Sequence, residues 1–174
     1  MTIDFQFTPD DYRNAFRAHF KKGASLALRL MLHLCLIAGI LMLLIGILFV
    51  ITGQRAPNVA LPPFVFGSLF TWYGIGGPYQ FLARKEFAKS PSNRQPRRIE
   101  VSEAGVKTDA GVASSNMSWE AYLRFVESKD CFLLYTSPGC FAIVPKRALQ
   151  PEQVNELRQI LQSNVGKQAA AAAR

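Results

Sequence analysis

Residues 141–154 read FAIVPKRALQPEQV. A strand-like run meets a proline, then two adjacent cations, Lys146 and Arg147, then a helix start. Paired cations suit one chemistry: holding an anionic group through charge-assisted hydrogen bonds. The competing account is a solvated corner between two structural elements. Pro145 cannot donate to a ladder and ends the strand. With Gln150 as cap and Pro151 as first helical residue, Leu149 and Val154 take the hydrophobic-staple positions and Gln153 the capping-box position. The turn therefore accounts for most of the motif and leaves Lys146 and Arg147 as the candidate interaction pair. Trp119 is the third candidate. Its indole either anchors a ligand edge or plugs the core, and plugging the core is the commoner role for a lone Trp at a strand end.

Other chemistry is sparse. The two histidines are His19 and His33, so residues 97–166 contain none. No P-loop, nucleophile elbow or HExxH pattern occurs. The run Gly74-Ile75-Gly76-Gly77-Pro78 lies in an apolar stretch and reads as a bend, not a phosphate loop. His33 falls in the first turn or so of an apolar helix, where a histidine is cheap to place. Cys35, Cys131 and Cys140 have no metal-binding spacing and read as free thiols in a reducing compartment. The chain is expected not to be an enzyme and to carry no metal or cofactor.

The elements that would position the candidates begin at a membrane. From Leu30 to Ile51, and again from Ala56 to Ala83, no Asp, Glu, Lys or Arg occurs. At about 1.5 Å per residue each run can cross a hydrocarbon core roughly 30 Å thick. Two transmembrane helices are predicted, Ser25–Thr52 and Leu61–Leu82, forming a hairpin over residues 25–83. The first run is too long for a signal-peptide core, and no small-x-small site follows it. Gly39 and Gly46, and Gly67 and Gly74, are each seven apart; each pair shares a helix face and would let the two backbones approach closely.

The net charge is +8. The surplus flanks the spans: residues 84–98 alone carry six Lys/Arg against Glu86. Arg84, Lys85, Arg94, Arg97 and Arg98 are the juxtamembrane basic set, whereas the connecting loop holds only Arg55. This distribution predicts both termini on the cytoplasmic side, and it argues against nucleic acid as a partner.

Residues 1–24 read as a short strand, from alternating Ile3, Phe5 and Phe7, and an amphipathic helix. Thr8 is its cap and Pro9 its first residue. Tyr12, Phe16 and Phe20 form one stripe, and Arg13, Arg17 and Lys21 another. Either this helix lies at the lipid headgroups or its aromatics pack on the protein's own domain. Residues 84–96 read as a basic linker reaching on the order of 20 Å. Residues 97–166 read as a small α+β domain, an antiparallel sheet closed by a C-terminal helix, Pro151–Gln162. Its strands are Arg98–Ser102, Val106–Asp109, Val112–Trp119, Tyr122–Glu127, Cys131–Thr136 and Cys140–Val144. The last two are apolar on both faces and need cover on both. Residues 167–174 read as a disordered tail.

The segment SWEAYLRFVESKDCFLLYTSPGCFAIVPKRALQPEQVNELRQIL resembles the C-terminal domain of the YcxB-like proteins. The resemblance rests on Trp119, on Val126 and Glu127, and on the Val144-Pro145-Lys146-Arg147-Ala148-Leu149 strand end before the last helix. FTPDDYRNAFRAHF and the two apolar runs also fit the family's layout. The resemblance implies a bacterial inner-membrane protein with a cytoplasmic, PH-like curved sheet, and implies no known activity. Gln150 departs from the Ser, Thr or Asp usual before that helix, which predicts a weaker helix start.

The expected function is therefore a membrane-tethered cytoplasmic recognition module, binding a protein partner or anionic lipid headgroups. The alternative is an accessory subunit of a larger membrane or transport complex. Two spans cannot enclose a pathway, so transport would require a homo-oligomer.

Overall fold

The computed structural model describes residues 1–53, 57–89, 91–111 and 113–165. Arg55, Val112 and the tail 167–174 lie outside the described residues. The chain divides into two compact units, residues 1–22 with 83 onward, and Gly23–Leu82.

The first unit is built on two antiparallel sheets. Strands β1 (Thr2–Gln6), β2 (Pro96–Val101), β3 (Gly105–Asp109) and β4 (Ser114–Ser118) form one, in that order. Strands β5 (Arg124–Glu127), β6 (Cys131–Tyr135) and β7 (Phe141–Pro145) form the other. The alternation at the N-terminus places Ile3 and Phe5 in the core. Across β1 and β2, Asp4 sits opposite Arg98. The N-terminal strand and helix are thus part of the sheet-bearing unit, not the separate segment expected for residues 1–24.

Helix α1 (Pro9–Ala18) starts in a reciprocal capping box: Asp11 N–H donates to Thr8 Oγ1 (3.3 Å), and Thr8 N–H donates to Asp11 Oδ2 (2.8 Å). Its aromatic stripe packs on the protein. Tyr12 meets Phe7 and Phe87 edge-on at 5.3 and 5.5 Å, and Phe16 meets Phe141 at 5.8 Å. The helix lies on β6 and β7. Those contacts decide against a helix laid with its aromatics in the headgroups. All five residues of β6 are buried, as its apolar faces require. The C-terminal helix, Pro151–Asn164, adds Leu157 and Leu161 to the same core. Gln153 Oε1 accepts the Gln150 N–H at 2.9 Å, the capping-box bond expected from its position.

The second unit is helical. Helix α2 (Leu26–Ile51) has 26 residues and a mean hydropathy of 3.2 over its most apolar stretch. Among the described residues it is the one helix long and apolar enough to cross a membrane. Its partner α3 (Pro57–Gly74) has 18 residues. The two pack together through the expected glycines: a Cβ on Gly39 would lie 2.5 Å from Thr71 N, and one on Gly74 would lie 2.5 Å from Leu36 Cα. No side chain fits at either contact.

Two expectations need correction here. The single span over 61–82 is instead two helices, α3 and α4 (Gly77–Lys89), parted at Ile75 and Gly76. Gly76 takes φ +83°, which glycine adopts at little cost and other residues rarely do. The same α4 carries Arg84, Lys85 and Lys89 on regular helix, so residues 84–89 of the expected linker 84–96 are not a flexible tether. Arg94 falls in a short 3₁₀ turn after it, and Arg97 and Arg98 fall on β2.

Candidate functional site

Lys146 and Arg147 follow β7 on a 3₁₀ turn, Lys146–Ala148. Both are bound to the protein's own carboxylates. Lys146 Nζ lies 2.5 Å from Glu127 Oε1 and 4.8 Å from the centre of the Phe132 ring. Arg158 on the C-terminal helix donates to the same carboxylate through Nε (2.8 Å) and Nη2 (2.7 Å). Glu127 therefore ties the end of β5 to the end of β7 and to the helix. The Arg158 fork, with Lys146, holds the Glu127 carboxyl down at about 2 despite an opposing effect of burial.

Arg147 is spent in the same way. It grips Asp11 through Nε (2.8 Å) and Nη2 (2.6 Å), and Nη2 also donates to the Gln6 carbonyl (2.7 Å). Asp11 is only 6% exposed. Burial pushes its carboxyl up, but the bonds from Arg147 and Thr8 outweigh this and hold it below the usual range. Asp11 so serves two tasks, capping α1 and anchoring a turn 136 residues further along the chain. The expected interaction pair is thus a pair of structural ties. Trp119 is 7% exposed and donates Nε1–H to the Ser102 carbonyl at 3.0 Å, as a core plug does.

The basic set near the spans is divided. Arg98 forks onto Asp4 across β1 and β2 (2.8 and 3.2 Å). Arg97 lies 5.0 Å over the Phe7 ring and donates to Asn93 Oδ1 (3.3 Å). Arg94, Arg84 and Lys85 are exposed.

A different set of cations surrounds an open groove of about 420 Å³. One wall is the C-terminal part of α1 and the π-helical turn after it, His19–Gly23, supplying Asn14, Arg17, Ala18, Lys21 and Lys22. The other wall is the β5–β6 turn, Ser128-Lys129-Asp130. Asn14, Arg17, Ala18 and Lys21 fall at i, i+3, i+4 and i+7, one face of a helix. Lys22 joins the walls by donating to the Glu127 carbonyl at 3.2 Å. Ser128 Oγ braces the turn, accepting from Asp130 N–H (3.3 Å) and Cys131 N–H (3.0 Å). Four cations face one carboxylate, Asp130. Among the described residues Arg17, Lys21 and Lys129 make no ion pair or side-chain hydrogen bond.

Sequence reasoning found half of this groove. The Arg13, Arg17 and Lys21 stripe was visible, although Arg13 pairs with Asp10 (3.1 Å) instead of joining the groove. The turn at 128–130 read only as a turn, because nothing local says which helix it faces.

Beside the groove, His19 enters the sheet-bearing unit, which residues 97–166 alone left without a histidine. Its Nδ1 lies 2.8 Å from the Tyr135 hydroxyl, and its ring stacks on Phe141 at 5.2 Å. Burial, with the nearby charge of Arg124, lowers its pKa, while burial drives the Tyr135 hydroxyl up to about 12. Both groups are neutral near pH 7. Among the described residues no cluster of His, Cys, Asp or Glu could hold a metal ion. In the helical unit, His33 Nδ1 lies 2.7 Å from the Arg29 carbonyl one turn back, a local bond within α2.

No curated protein and no solved structure matches the chain. The family match starts at the end of β2 and covers β3 to β7 and most of the C-terminal helix, leaving out β1, α1 and the helical unit. The resemblance expected over nearly the whole chain is thereby carried by its C-terminal region. Residues 101–161 match the model of the YcxB-like protein family.

Proposed function

We propose that this is an integral membrane protein of the bacterial plasma membrane, in which a helical hairpin anchors a PH-like, cytoplasm-facing module. The module recognises an anionic partner and catalyses no reaction. The observation that carries the reading is the surface of α2. Only 11% of its most apolar stretch is buried, and Leu30, Leu34, Ile37, Leu41 and Leu44 are all exposed. Apolar surface on that scale is stable only against lipid or another apolar chain. The break at Gly76 leaves α3 with 18 residues, about 27 Å of helix and close to the hydrocarbon thickness. Although α3 is less apolar than α2, its close packing on α2 at Gly39 and Gly74 supports a second crossing and both termini on one side. Four strands plus three, all antiparallel, with one C-terminal helix support the PH-like reading.

The chain carries its own probe of sidedness. Cys140 is exposed in the β6–β7 turn, Cys131 is buried in the core and Cys35 lies in α2. A membrane-impermeant maleimide should label Cys140 only after cells are broken, with Cys140→Ser as the blank. The protein should stay in the pellet on alkaline extraction. Labelling of intact cells would reverse the orientation, and release at high pH would end the membrane reading.

A further inference from the structure

The groove between α1 and the β5–β6 turn has the makings of a ligand site, and its position in the chain indicates the ligand. We infer that it binds a phosphate group, presented as the headgroup of an anionic phospholipid in the membrane that α2 occupies. The choice of a lipid rests on the membrane-anchored reading above; the choice of a phosphate does not.

The argument starts from what the cations do. Elsewhere in this unit Lys146, Arg147, Arg158 and Arg98 are all matched to carboxylates. Among the described residues the exposed Arg84, Lys85 and Arg94 have no carboxylate partner, and around the groove the matching stops as well. Arg17, Lys21, Lys22 and Lys129 converge on one space with Asp130 as the lone acid. Like charges on two facing walls repel, and folding gains nothing from placing them there. An oxyanion between the walls reverses the sign of that interaction, and a phosphate accepts several donors at once.

The walls are also fixed in advance. The bond from Lys22 to the Glu127 carbonyl joins them, Ser128 holds the turn, and α1 is seated on β6 and β7. Walls held in place lower the ordering cost of binding. The volume, about 420 Å³, falls within the range of small-molecule sites, about 300–1,000 Å³. Lys21 and Lys22 immediately precede the segment that leads into α2 at Leu26. Cations bordering a membrane helix are where anionic headgroups are met.

The test uses full-length protein in a neutral detergent. Dihexanoyl phosphatidylglycerol, dihexanoyl phosphatidylcholine and inorganic phosphate are titrated by calorimetry into wild type and into the Arg17→Gln/Lys21→Gln double variant. Thermal melting checks that the variant is folded. The expected result is saturable binding of phosphatidylglycerol, weak binding of the zwitterionic lipid, and an affinity roughly 30-fold lower in the double variant, the loss for two surface cations. Inorganic phosphate bound as tightly as the lipid, with the same loss in the variant, would support the phosphate site and overturn the lipid as its source. Wild type that binds neither anion, or a folded variant that binds within twofold of wild type, would overturn the site. Alkaline extraction reports separately on the anchored reading, so the two can fail independently.

Discussion

Lys146, Arg147 and Arg158 form one basic region of this protein; Arg17, Lys21 and Lys129 form another. The first has the stronger signature in the sequence, two adjacent cations in a motif with its own family resemblance. The second is scattered over 113 positions. Yet every cation of the first region is matched by a carboxylate, and three of the second face open solvent across a groove. Adjacency in sequence says that charges are close; it does not say that they are available. What decides availability is whether the fold brings Asp or Glu to meet them, and Asp11 and Glu127 arrive from far along the chain.

The sharpest way to break this comparison is Arg147→Ala. It leaves Asp11 buried without its guanidinium, and a buried carboxylate stripped of its partner costs roughly 3 kcal/mol. Melting of the intact protein in detergent should show that loss, whereas Arg17→Gln/Lys21→Gln should stay within about 0.5 kcal/mol of wild type. Equal effects from the two substitutions would erase the distinction between ties and free cations.

Acid should separate the regions next. The Glu127 carboxyl sits at about 2 in the fold against an ordinary 4.5. A depressed value means the unfolded chain binds the proton more readily. The stabilisation is complete above about pH 4.5 and is lost as pH falls from there towards 2. Its full size is roughly 3 kcal/mol, as an upper figure for a carboxylate whose partners are partly exposed. Asp11 shifts in the same direction and adds to the slope. Melting followed from pH 7 to pH 3 should fall steeply in wild type and less steeply in Glu127→Gln. Parallel curves would show that the cluster around Glu127 is not what acid attacks.

How much of this was legible beforehand follows from chain separation. The Thr8 cap, the strand end at Pro145, the Leu149–Val154 spacing and the glycine contacts of α2 and α3 are local or periodic patterns, and sequence shows such patterns directly. The pairing of β1 with β2 is not local: Ile3 meets Ile99 across the whole helical segment. The grip of Arg147 on Asp11 is less local still. Both depend on the chain returning to itself, which no propensity encodes. The groove sits between these cases. Its α1 wall is a helical stripe that spacing reveals, but the wall at 128–130 is chosen by how α1 seats on β6 and β7. The aromatic stripe shows the same limit, because Phe16 had the same spacing whether its neighbour was a lipid or Phe141.

The smallest effect concerns the one acid in the groove. Asp130 is exposed, and its structural bonds run through its backbone: its N–H donates to Ser128 Oγ and its carbonyl accepts from Lys146 N–H. Asp130→Asn keeps both bonds and removes only the charge. The melting midpoint should therefore hold, while affinity for an anionic phospholipid should rise about fivefold, the effect of one charge near a surface. The direction matters more than the size. Every substitution that removes a cation can weaken anion binding for trivial reasons, through a lost contact or a slightly disordered wall. A substitution that strengthens binding by deleting a carboxylate has no such escape, because only an anion held close to residue 130 would sense the change. Unchanged or weaker binding in this variant would place the anion outside the groove and leave Arg17, Lys21 and Lys129 as solvated charge.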